Sequence, residues 1–208
     1  TRAHTLAHSA PTPAPARLSA TTSATTAFAY RKVFEDYAKK TGADPTFIPW
    51  QGHDFSMRGM EGTWAASASG AGHLLSFTGT DTIPAILFLE KYYGADITKE
   101  LVGGSVPATE HSVICIGTAE VSEFETFKRL ITEVYPNGII SIVSDTWDLW
   151  KVLTDFLPRL KSEILARDGK VVIRPDSGDP ADILCGDRGV GKDTPVGKGV
   201  IRLLYETF

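Results

Sequence analysis

Cysteine is scarce, with only Cys115 and Cys185 in 208 residues. Two are too few for a disulfide framework or a cysteine-rich zinc site, and such low usage makes the cytosol the expected compartment. Positive charge is not in excess. Lys and Arg number 21 against 25 Asp and Glu, a net charge of −4, which excludes a nucleic-acid binder that works through a general basic surface. No apolar run approaches the ~20 residues needed to span a bilayer, so no membrane segment is expected. The chain has no initiator Met and no G-x-S-x-G, P-loop or G-x-G-x-x-G motif. A secretory leader needs an apolar core, which the first residues lack.

What is present is an ordinary globular mixture, 42% apolar and 22% charged. Residues 1–18 are rich in Ala, Pro, Thr and His and contain Pro11-Thr12-Pro13-Ala14-Pro15. Proline removes backbone donors and favours extended chain, so this segment is expected to be disordered. Residues 19–208 read as one incomplete domain. Helices are expected over 24–40, with Phe28, Val33, Phe34 and Tyr37 as the apolar side, and over 63–72, 82–93, 122–135, 147–157, 158–166 and 200–208. Strands are expected over 46–50, 74–77, 139–143 and 170–173. The glycine-rich stretch 186–199 reads as a flexible surface loop. Runs such as Ile139-Ile140-Ser141-Ile142-Val143 are apolar on both faces, as parallel strands are when helices cover them. Strands alternating with helices give an α/β fold, either a barrel or an open parallel sheet.

Polar residues follow each apolar strand at once: Thr80-Asp81, Ser144-Asp145 and Arg174-Pro175-Asp176-Ser177. Ligands of α/β folds bind at the carboxyl ends of parallel strands. Taken singly, each of these Asp residues reads equally as a cap for the helix that follows. Arg174-Pro175-Asp176-Ser177-Gly178-Asp179-Pro180 is also a strong turn sequence, although a turn does not require Arg174, whose guanidinium can fork onto phosphate or carboxylate. His53-Asp54-Phe55-Ser56-Met57-Arg58-Gly59 reads either as a solvated loop with Phe55 in the core or as a polar site around an aromatic. Glu110-His111-Ser112 has no third ligand at metal spacing, so no protein metal site is expected. His4, His8 and His73 read as ordinary surface or core histidines.

Five segments in order, namely His53-Asp54-Phe55-x-x-Arg58-Gly59, Phe77-Thr78-Gly79-Thr80-Asp81-Thr82, Ser105-Val106-Pro107-Ala108-Thr109-Glu110-His111-Ser112, Val143-Ser144-Asp145 and Ile173-Arg174-Pro175-Asp176-Ser177-Gly178-Asp179-Pro180, closely resemble the nicotinamide phosphoribosyltransferases, especially bacterial and phage forms. The resemblance runs from about Ser19 to the end. It implies an irregular, TIM-like α/β barrel of the type II phosphoribosyltransferase kind with an incomplete flanking domain, assembled as a homodimer. The implied reaction joins nicotinamide to phosphoribosyl pyrophosphate, giving nicotinamide mononucleotide and pyrophosphate in NAD salvage. Phe55 then stacks on the pyridine ring, Asp81 accepts from the carboxamide, and Arg58, Ser105 and Arg174 contact substrate. Asp145 and Asp176 lie near the ribose, with Mg²⁺ carried by the pyrophosphate. His111 matches a histidine that ATP phosphorylates, with Glu110 as a neighbouring acid to orient it. The resemblance also makes the chain a central piece, because a Gly-Asp-Gly segment and a phosphate-cradling glycine loop are absent. Two other readings stand beside it. One is a nicotinate or quinolinate phosphoribosyltransferase, which a base-site Arg or Lys would favour and Asp81 opposes. The other is a non-catalytic barrel piece serving as a structural or interaction module.

Overall fold

The structure is a computed structural model that describes residues 14–208, with side chains described from residue 19 onward. The disorder expected for residues 1–13, with His4 and His8, lies outside the described residues. The helix α1, Ala14–Thr41, begins inside the segment read as disordered. The described chain is mixed α/β and divides into two compact units, one ending at Ser105 and one spanning Val106–Phe208, where the sequence suggests a single domain. Among the described residues no helix is long and apolar enough to cross a membrane.

In the first unit α1 lies against α2, Thr63–His73. The contact uses small residues rather than the aromatic side named from the sequence. Ala27 is buried, whereas Phe28, Val33 and Tyr37 are half exposed. A Cβ on Gly72 would lie 2.5 Å from the Ala20 carbonyl oxygen, so only glycine allows this approach. The stretch 46–50 is a 3-10 turn, Pro45–Trp50, and not a strand. Asp44 accepts from the Thr46 amide, and Pro45 stands at the first helical positions, where its fixed φ suits a helical start. The expected strand at 74–77 is also absent. After α2 the chain turns on, with Leu74 N donating to Gly70 O and Phe77 N to His73 O. The strands are instead β1, His53–Asp54, and β2, Gly79–Thr80, paired in parallel. Gly104 bridges to Gly79 on the other side, also in parallel. Helix α3, Ile83–Tyr93, ends at Gly94 in the left-handed region, as the sequence predicts.

The second unit has the larger core. Strand β3, Gly138–Val143, pairs in parallel with β4, Gly169–Arg174. Ile140, Ile142 and Val143 are fully buried, among Ile114 of α4, His111–Glu120, and Phe127 of α5, Glu123–Arg129. Each such side chain contributes about 1.5–3 kcal/mol when fully buried. Leu149, Val152, Leu153 and Phe156 close the other side. They stand on α6, Leu149–Lys151, and the π turn Val152–Phe156, which continues into α7, Leu157–Arg159, and α8, Lys161–Ala166. Two more helices follow, α9, Pro180–Cys185, and α10, Pro195–Thr207. The stretch 186–199 is not a loose loop. Asp187 N donates to Val196 O, and a Cβ on Gly186 would lie 2.2 Å from Gly197 O, so backbone touches backbone there.

Candidate active site

In the first unit the strand ends gather His53, Phe55, Asp81 and Ser105. Asp81 follows β2 directly, and its Oδ1 lies 2.9 Å from His53 Nε2. The same oxygen accepts from Ser105 Oγ. Facing a carboxylate, His53 Nε2 carries the proton. Two donors on Oδ1 leave the other oxygen, Oδ2, as the one not engaged by them. Phe55 is 41% exposed, so it is not a core residue. Its ring stands 4.5 Å from that of His53, tilted by 34°. Arg58 lies on the exposed 3-10 turn Ser56–Gly59. Asp54 anchors that turn by accepting from the Ser56 amide at 2.9 Å. Burial opposes the charge of Asp54, but hydrogen bonding from Ser56 and the field of His73 help hold its carboxyl below the usual range. His73 is a structural histidine, as its sequence reading has it. Its Nε2 donates to Gly79 O at 3.0 Å, it stacks on Phe77, and burial pushes its pKa down.

The second unit holds a histidine between two acids. His111 opens α4. Its Nε2 lies 3.2 Å from Asp145 Oδ1, and its Nδ1 is 3.8 Å from Asp176 Oδ2. Asp145, 8% exposed at its side chain, is the hub. Its other oxygen accepts from Ser177 Oγ at 2.6 Å and from the Asp176 amide at 2.8 Å. Burial raises its pKa, but these donors, its own amide and His111 outweigh burial and hold the carboxyl below the usual range. Glu110 accepts from Ser112 Oγ at 2.6 Å. Asp145 meets the His111 ring directly.

Thr109 ties these parts together. Its amide donates to Ser141 O, its hydroxyl accepts from Val143 N at 3.0 Å, and its carbonyl accepts from Arg174 Nη2 at 2.6 Å. Arg174 thus fastens the end of β4 to the segment that carries His111.

The helix-cap reading of Asp81, Asp145 and Asp176 does not hold. Neither Asp145 nor Asp176 caps a helix. Asp148 caps α6 and Asp179 caps α9, each three residues further on. Asp81 does not cap α3, whose cap residue is Thr82. The structure brings Asp81 to Ser105 and His111 to Asp145 and Asp176. Sequence reasoning gave no separate part to His53, Thr109 and Ser177. All three lie inside the quoted motifs, which was the available signal. Among the described residues no group of His, Cys, Asp or Glu is placed to hold a metal ion.

Known proteins resemble this chain over most of its length. The "Nicotinate phosphoribosyltransferase (NAPRTase) family" profile matches residues 50–207. A protein of Acinetobacter baylyi named nicotinamide phosphoribosyltransferase is 55% identical over 188 residues, covering 88% of this chain and 36% of that protein. Proteins of the same name are 35% identical in Xanthomonas campestris pv. campestris, over 74% of this chain, and 37% identical in Mycoplasma pneumoniae, over 88%. Those alignments cover 32% and 37% of the two relatives, so the chain spans about a third of the length of each protein it matches. With more than half of its residues matched, the chain belongs to the nicotinate phosphoribosyltransferase (NAPRTase) family.

Proposed function

We propose that the intact protein is a nicotinamide phosphoribosyltransferase, a pentosyltransferase of NAD salvage working in the cytoplasm as a homodimer on a closed TIM-like barrel. The observation that carries this reading is the Asp81 carboxylate, held by His53 and Ser105 beside the exposed ring of Phe55. Phe55 stacks on the flat pyridine. Asp81 accepts from the carboxamide NH₂ through the oxygen that His53 and Ser105 leave open. The ring nitrogen attacks the anomeric carbon of phosphoribosyl pyrophosphate, the new C–N bond forms, and the bond to pyrophosphate breaks. Positive charge grows on the ribose carbon in that transition state, where Asp145 and Asp176 oppose it. Arg58 and Arg174 offer cationic contacts to the anionic substrate. Mg²⁺ travels with the pyrophosphate, whose oxygens suit a hard cation.

His111 is the phosphoryl acceptor in this reading. Asp145 fixes the proton on Nε2, so Nδ1 keeps its lone pair. Nδ1 attacks the terminal phosphorus of ATP and ADP leaves.

The second reading is a nicotinate enzyme, which the family's printed name favours. A carboxylate at position 81 repels the carboxylate of nicotinate and so argues against it. A product assay on the intact protein decides, using phosphoribosyl pyrophosphate with each base. Nicotinamide should give nicotinamide mononucleotide at a kcat/KM at least about tenfold above that for nicotinate, the discrimination expected of about 1.4 kcal/mol of charge repulsion. Equal use of both bases removes the part assigned to Asp81. No product from either removes the enzyme reading.

A further inference from the structure

His53 meets Asp81 through a hydrogen bond, and it stands where a charge change alters what Asp81 rejects. The ring is only 24% exposed and is seated closely. A Cβ on Gly79 would lie 2.7 Å from His53 Nδ1, so the glycine of β2 leaves space for this imidazole. Phe55 flanks the ring on its own segment.

The other ionisable groups near His53 do not duplicate it. His73, at the end of α2, is electrostatically coupled to His53, and burial pushes its pKa down. Asp54, the next residue along, directs its carboxylate to Ser56 and Thr80. With His53 neutral, the pair carries a net charge of −1. A proton on Nδ1 makes the pair neutral overall and leaves the hydrogen bond to Asp81 intact. We infer that His53 is a specificity-determining residue whose protonation relaxes the exclusion of anionic pyridines by Asp81. Resting on the nicotinamide reading above, this makes the choice between an amide and a carboxylate base depend on pH.

The nicotinate carboxylate stays ionised between pH 6 and 8.5, the range in which histidine side chains change charge. The quantity to measure is therefore the kcat/KM ratio of nicotinate to nicotinamide over that range, in the intact protein. The ratio should rise on the order of tenfold toward pH 6, as for charges a few ångströms apart in a partly screened site. H53Q keeps an amide donor for Asp81 but cannot titrate, so its ratio should stay low and flat. H53K carries a permanent cation and should hold the ratio high at pH 8.5. D81N removes the charge that repels nicotinate, so its ratio should already be high at pH 8.5. A wild-type ratio flat across the range, with nicotinamide still turned over, overturns the inference and leaves the enzyme reading standing. So does an H53Q protein that keeps the wild-type slope, because another group then titrates. Absence of nicotinamide turnover at every pH overturns the enzyme reading itself, and this inference with it.

Discussion

Thr109 carries no charge, yet both sides of its peptide and its hydroxyl are engaged. Val143 N, Ser141 O and the Arg174 guanidinium all meet it. The side chain is buried, so the Val143 amide has no water to turn to if the hydroxyl goes. T109V keeps the shape and removes the acceptor, and an unsatisfied buried amide costs about 1–3 kcal/mol. Denaturant unfolding should show that loss, and T109S should recover most of it. At this scale the sequence carried the acids but not their bonding. The abundance of Asp at strand ends was plain, whereas the donors that orient them were not, because Ser177, Thr109 and His53 are neutral or ambivalent residues in stretches that also read as turns. Phe55 was open between core and site, and its exposure decided for the surface.

Helix identity was easier to read than strand identity. Helices α3 and α5 follow from apolar spacing and from the cap residues Gly94 and Ser122. The 74–77 run misled because an apolar tetrapeptide fits either a strand or the turns that end a helix. At 46–50 the prolines and Asp44 held the better signal, since they favour a capped helical turn. The aromatic stripe of α1 misled in part. Phe34 of the stripe does pack, edge-on to Phe77, whereas against α2 that helix places alanines such as Ala20 and Ala27, which look inert to a hydrophobic-periodicity reading. The same feature gives an element-scale prediction. G72A drives a methyl into the Ala20 carbonyl, and α1 and α2 must separate. The expected loss is about 1–3 kcal/mol or more, visible as a lower thermal midpoint together with faster amide exchange in α1 and α2. At Gly59, where a Cβ meets nothing within 4 Å, the change to Ala should leave both readouts near those of the wild type.

Over the whole molecule, acid stability follows from two carboxylates. Asp54 and Asp145 both titrate below the unfolded value of about 3.9. The stability their charges add is complete above that value and is lost as pH falls through the lower native values. His73 acts earlier. Its native pKa is depressed, so stability declines as pH drops below the unfolded value of about 6.5 and levels once the native ring is also protonated. Thermal midpoints measured from pH 8 to 3 should therefore fall in two stages. D54N should start lower and show a shallower acid stage. The α/β class was legible at this scale because apolar strands alternate with helices along the chain. The division after Ser105 was not, since it depends on contacts between residues far apart in sequence.

The paired acids after β3 and β4 have a consequence for inheritance. Asp148 and Asp179 begin helices, and any descendant that still folds needs them or a substitute. Asp145 and Asp176 begin no helix. In a lineage that kept the scaffold but abandoned the proposed chemistry, selection would release Asp176, whose side chain is 56% exposed, and retain Asp179 three residues on. Genomes can thus tell a working copy from a retired one by which of these two neighbouring aspartates has drifted.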